Sequence, residues 1–266
     1  MLNVMRRLGT QHRLMVLMCA ALLAGFQFLM CAIVATTDVS GAMQQLLAFA
    51  PPMIQAAMSQ VLAAGATDNA MLAFGWNHPI THIIGTAVAI TLGARAVAGE
   101  IENGAIELVL AHPVSRAHYL TAHILFAAFA ILSIAVLGVL ATAIGQRVFA
   151  LEPFSPARLA LLLLAFLLLQ LAIFAITLIA STFGREGGRA ALAGLFVAVV
   201  SYMVGAIASL WPRVGYLSPY SLHHYFDPRA RLIDSGLDLS SLAALAAVTG
   251  AAMALSAWWF AKRDLP

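Results

Sequence analysis

The sequence predicts an all-α integral membrane protein with six transmembrane helices, and three observations predict it. Of the 266 residues, 62% are hydrophobic and only 9% charged, where a soluble domain carries about 25% charged residues. Six long intervals are free of Asp, Glu, Lys and Arg, apart from Arg95 near the end of one. Each reaches the ~20 apolar residues that cross the hydrocarbon core at the helical rise. Within them the apolar residues surround the helix instead of striping one face, as lipid-exposed or bundled spans require. The expected spans are 14–37, 79–98, 119–145, 159–183, 190–211 and 239–261, in one transmembrane domain over 1–266.

Before the first span, Leu2, Met5 and Leu8 stand at helical spacing with Arg6 and Arg7 between them. That pattern predicts a basic amphipathic elbow helix lying on the inner leaflet. A cleaved signal peptide is the competing reading. The apolar run exceeds the roughly 7–15 residues of a signal core and no small-x-small site follows before Asp38, so it is read as a retained span. Cys19 and Cys31 both fall in this span, about 18 Å apart along one helix, too far to pair. They read as apolar filler.

The connection from Asp38 to His78 holds an uncharged stretch, Gly41 to Gly65, with Pro51-Pro52 in its middle. Leu46, Leu47, Met53, Ile54 and Val61 make it apolar enough for two short helices at the outer surface, broken by the prolines, either a re-entrant lid or a packing helix. The second span ends near Arg95, which reaches toward the headgroups. A charged run, Glu100 to Arg116, separates it from the third. After the fourth span, Arg185-Glu186-Gly187-Gly188-Arg189 forms a tight turn in which the glycines supply unusual backbone angles and the arginines face lipid phosphates. The last outer loop, 213–238, carries Ser218-Pro219-Tyr220, His223-His224-Tyr225-Phe226 and Asp227-Pro228, aromatics suited to the interfacial belt.

Basic residues set the orientation. Arg6, Arg7, Arg13, Arg95, Arg116, Arg185, Arg189, Lys262 and Arg263 fall on the side of the termini, against Arg147, Arg158, Arg213, Arg229 and Arg231 on the other. The positive-inside rule therefore puts both termini and the Glu100–Arg116 run in the cytoplasm.

Much chemistry is missing. Lys262 is the single lysine, and no Gly-x4-Gly-Lys-[Ser/Thr] exists, so the chain has no P-loop of its own. No intramembrane protease motif and no basic, aromatic-interleaved groove for nucleic acid is present. Histidine offers candidate metal or haem ligands: His78 and His82 stand four apart on one helical face, and His223-His224 lies in the last outer loop. No HExxH and no Cys support them.

The Glu100–Arg116 run is the remaining feature. If Gly104–Ala111 is helical, Ile106, Val109, Leu110 and Pro113 form one apolar face, with Glu102 and Glu107 near the positive N-terminal end. A two-turn helix is unstable alone in water, so its stripe needs the bilayer or another protein. The expectation is a cytoplasmic coupling helix between the second and third spans, positioned to push on both.

The order Glu102-x-Gly104-Ala105-Ile106-Glu107-Leu108-Val109-Leu110-Ala111-x-Pro113-Val114-Ser115-Arg116 resembles the signature of ABC-2-type ABC transporter permeases. The architecture, Ser218-Pro219-Tyr220 and the Phe260-x-Lys262-Arg263-Asp264-Leu265 ending resemble that family too. Ala105 stands where the family usually has Thr or Ser, Ile101 where another acid is common, and His123 where a Lys is frequent. The resemblance implies the permease subunit of an ATP-driven exporter in the bacterial inner membrane. It also implies a dimer with a second copy or paralogue, and separate ATPase chains that hold the ATP and Mg; this chain itself binds no cofactor. Glu100, Glu102, Gly104, Glu107, Leu110, Pro113 and Arg116 are the implied coupling residues. The expected cargo is hydrophobic or amphipathic, a drug, antibiotic or lipid-like molecule, since no carboxylate lies within a span. The alternatives are a membrane-embedded metal or haem protein, or a non-transporting assembly factor, including a permease of copper-enzyme maturation.

Overall fold

The computed structural model describes residues 2–37, 49, 51, 67–104, 115–233 and 239–263. Among them no strand occurs, and six helices are long and apolar enough to cross a membrane. Helix α1 spans Leu2–Thr36 and α2 Asp68–Asn77. Helix α3, Pro79–Ala94, passes through a π-helical turn, Arg95–Gly99, into a last turn, Glu100–Glu102. Helices α4 (Arg116–Val148), α5 (Pro156–Phe183) and α6 (Gly187–Leu210) follow. Two 3₁₀ segments, Pro212–Tyr220 and Leu222–Tyr225, lead to α7 (Pro228–Leu232) and α8 (Leu239–Lys262).

The helix starts are built from short polar residues. Ser115 accepts from the His118 N–H and Ser155 from the Arg158 N–H, the latter with Pro156 in the first turn, so donors that helix geometry leaves unpaired are satisfied. Asp227 caps α7 in the same way, before Pro228. Within the spans, Thr142, Thr177, Thr249 and Ser256 hydroxyls donate to carbonyls four residues back, so these four are not left bare in an apolar setting.

Helix α5 is the centre of the bundle. Phe166, Leu169, Ile173 and Phe174 are fully buried on it, and Phe166 meets the rings of Trp76 and Phe226 at 5.6 and 5.9 Å. With no hydrophobic drive between helices in lipid, close approach through small residues does the packing. A Cβ at Gly93 would stand 2.9 Å from the Phe174 carbonyl oxygen, so α3 lies directly on the α5 backbone. Helices α1 and α4 pair along their length, with Cys31 filling the place of a side chain at Gly145.

Helix α1 runs unbroken from Leu2 into the first span, with Val4, Leu8 and His12 buried on the bundle. Other expectations are corrected. The stretch before Pro79 is helical and packed, with Trp76 fully buried and its indole donating to Thr142 Oγ1 at 3.2 Å. Pro79 cannot donate into a continuing ladder, so the second span is two helices, α2 and α3, meeting at His78. Between α6 and α8 the described residues are folded, with Phe226, His223 and Arg231 buried. The helices expected at 41–65 lie outside the described residues, apart from positions 49 and 51.

Candidate functional site

The start of α1, the end of α3, the starts of α4 and α6 and the end of α8 gather at one end of the bundle, called here the terminal face. Glu100 ends the π turn there and is 6% exposed. Arg7 of α1 donates to its Oε2 at 2.8 Å. The predicted spans are free of carboxylates, yet this carboxylate, two residues past the expected end of one, is buried and ion-paired.

Glu102 is bound from another direction. Its Oε2 accepts the Gly187 N–H at 2.8 Å, at the first turn of α6, where unpaired N–H groups favour an anion. Gly187 suits this closeness: a Cβ there would lie 3.1 Å from the Gly99 Cα, tighter than ordinary contact. Neither Gly187 nor Gly188 has a positive φ, which corrects the expected role of this glycine pair in turn geometry. Arg189 pairs with Glu186 at 2.8 Å.

Asn103 donates to the Gly99 carbonyl at 2.8 Å, and Gly104 leaves the helix with φ 66°, a left-handed angle that suits glycine. Residues 105–114 lie outside the described ones, and with them Glu107, Leu110 and Pro113. The chain is described again at Ser115. Arg116 Nη1 donates to the carbonyls of Phe260, Ala261 and Arg263 at the end of α8. Arg263 in turn donates to the Thr182 and Gly184 carbonyls, at 2.6 and 2.8 Å, at the end of α5. Burial, then the nearby Arg185 charge, lower the Arg263 pKa.

The π turn itself is held from outside. Ser181 Oγ accepts the N–H groups of Val97 and Ala98 at 3.2 and 2.8 Å and donates to the Ala94 carbonyl at 2.9 Å. The Tyr119 hydroxyl donates to the Ala96 carbonyl at 2.7 Å. A small pocket beside the turn is lined by His12, Arg95, Glu100 and His123 with Leu8, Leu92 and Phe126.

The histidines do not gather as a group of four. His78 caps α3 through its own Nδ1 and packs on Phe26 and Phe74, and His224 contacts Ser218 Oγ at 2.7 Å. The expected shared helical face of His78 and His82 is lost because His78 stands outside α3 as its cap. His82 instead meets His223, ring to ring at 4.8 Å. His223 Nδ1 lies 2.9 Å from Ser201 Oγ, and burial pushes its pKa down to about 4. Among the described residues no group of three or more His, Cys, Asp or Glu has metal-holding geometry.

The sequence singles out Glu100, Glu102 and Arg116 as charges, and the structure adds the groups they and the π turn meet, Arg7, Gly187, Ser181 and Tyr119. Arg7 carries a signal only as part of a basic tail, and a hydroxyl or tyrosine inside an apolar span carries none that points to a π turn. No curated protein matches the chain. The family model described as ABC-2 family transporter protein matches residues 12–265. That match covers five of the six candidate membrane helices whole, the first from residue 12 onward, and both flanks of the Glu100–Arg116 run. The chain therefore belongs to the ABC-2 family transporter proteins, as a multi-pass membrane permease of that type.

Proposed function

We propose that this permease is the membrane-spanning part of an ATP-driven exporter, that separate ATPase chains dock on its terminal face, and that residues 100–116 receive their push. One observation carries the reading. The charged residues on the two flanks of 105–114 are tied to different helices: Glu100 to α1, Glu102 to α6, and Arg116 to α8 and through Arg263 to α5. Force applied between those flanks reaches four helices at once, which suits rigid-body and shear motion of a bundle. The excess of basic residues on this side supports a cytoplasmic terminal face, where ATP is found.

The remaining parts of the reading follow from chemistry. Apolar span surfaces, with Leu192, Phe196, Met203 and Trp258 exposed, face lipid or a second permease copy and favour amphipathic cargo over small ions. The inner membrane of a bacterium is the proposed setting. Its ATP and Mg belong to the partner.

The test is site-specific photo-crosslinking in cells that express the ATPase partner. A crosslinker at Glu107 should capture an ATPase chain, and one at Tyr220, 84% exposed on the opposite face, should not. Capture from Tyr220 alone, or from neither, would overturn the docking assignment.

A further inference from the structure

We propose that the π turn Arg95–Gly99 is the joint at which motion of residues 100–116 becomes rotation at the end of α3, with Ser181 and Tyr119 as the positioning residues that hold it. This rests on the docking role given above to residues 100–116. The local sequence gives no reason for a widened turn: Arg95-Ala96-Val97-Ala98-Gly99 has no proline, and alanine favours the α-helix. A π turn carries an extra residue and breaks the α ladder, so it persists where outside groups take up the displaced donors and acceptors. Here Ser181 holds two N–H groups and one carbonyl, and Tyr119 holds another carbonyl, all in a fully buried setting.

The joint sits between a fixed part and two movable grips. Above it, α3 is clamped to the α5 backbone at Gly93. Below it, Glu100 faces Arg7 and Glu102 faces the Gly187 N–H. Conversion of the π turn to α register re-registers these residues by one position, about 100° and 1.5 Å. Both grips cannot survive that shift, so the two registers are discrete states of the terminal face.

Both flanks of the 100–116 run also converge on one place. From Glu100 the route runs through the π turn to Ser181. From Arg116 it runs through Arg263 to the Thr182 carbonyl, the next residue. A displacement of the segment therefore loads residues 181 and 182 from both sides, and Ser181 Oγ is the contact that has to give for the turn to change register.

The experiment uses the permease in complex with its ATPase, in lipid nanodiscs, with spin labels at the exposed positions Gln11 and Gly188. Distances are read with no nucleotide and with ATP under non-hydrolysing conditions. The wild-type distance distribution should shift with ATP. Deletion of Ala98, which removes the extra residue, and Ser181→Ala should both lose the shift while the ATPase still co-purifies, and Ser181→Thr should restore it. Should the Ala98 deletion fail to fold, Ser181→Ala decides alone. An undiminished shift in Ser181→Ala overturns the joint and leaves the docking reading standing. No shift in the wild type overturns the receipt of a push by residues 100–116 and the joint with it, while failure of the ATPase to co-purify overturns the docking itself.

Discussion

Arg7 and Glu100 are 93 residues apart in the chain and 2.8 Å apart in the fold, and they are unequally covered, with side chains 42% and 8% exposed. The asymmetry makes the two partners unequal under substitution. Arg7→Ala leaves a carboxylate buried without its counter-charge, whereas Glu100→Gln removes the buried charge itself.

Discounted for the exposure of Arg7, loss of the arginine should cost about 2–3 kcal/mol, and Glu100→Gln about 1 kcal/mol. Denaturant midpoints of the two purified variants compare them directly. Equal losses would count against a buried, charge-paired Glu100.

The neighbouring glycines at the start of α6 should respond with opposite signs. A methyl at Gly187 meets the Gly99 backbone at 3.1 Å, while nothing lies within 4 Å of one at Gly188. Gly187→Ala is expected to cost about 1–3 kcal/mol by overpacking. Gly188→Ala should gain about 0.5 kcal/mol, by helix propensity and a less flexible unfolded chain. Thermal melts of the pair test the contrast, and a stabilising Gly187→Ala would refute the close approach.

His223 gives the segment 212–232 a pH dependence. Its pKa is about 4 when folded, against an ordinary 6.5, so between those values the opened segment binds more protons than the closed one. Stability of the segment is therefore full above about pH 6.5 and falls as pH drops toward 4, by ~3 kcal/mol in all. Hydrogen exchange of residues 212–232 should quicken over that window, and His223→Gln should flatten the dependence. An unchanged profile in the variant would assign the effect elsewhere.

Arg263 ties the end of α8 to the end of α5 through two carbonyls. Arg263→Ala should cost about 1.5–3 kcal/mol for the charged hydrogen bonds. It should raise hydrogen exchange over residues 256–262 without changing residues 240–250. Uniform change along α8 would mean that the tether is not local.

Legibility followed the reach of each interaction. The spans could be read because lipid demands apolar residues around the whole helix, whereas the caps Ser115 and Ser155 went unread, and α4 and α5 begin three residues before the expected 119 and 159. The extra helix α2 was not legible: beyond Asp68 it is as uncharged as a surface connection, and the burial of Leu72, Ala73 and Trp76 is what distinguishes it. At the terminal face, Glu100, Glu102 and Arg116 stood out as charges in an apolar chain. Their partners did not, because two of the three grips end on backbone groups, the Gly187 N–H and the α8 carbonyls, which every residue type supplies. Arg7 was read as part of a basic amphipathic helix because a basic tail has no local sign of a partner so far along the chain. The glycine pair was given the wrong reason, since closeness to Gly99 is invisible until α3 and α6 are side by side.

The helices are also of unequal height. At 1.5 Å per residue, α1 with 35 residues is about 52 Å long and its companion α4 with 33 about 50 Å, while α6 and α8, with 24 each, are about 36 Å. A hydrocarbon layer of about 30 Å suits the short pair nearly upright and leaves the long pair to tilt or to stand proud of the headgroups. Bilayer thickness therefore acts unevenly on the two flanks of the bundle: a thicker membrane straightens α1 and α4 before it strains α6 and α8. Lipid composition is thus a mechanical variable for this protein.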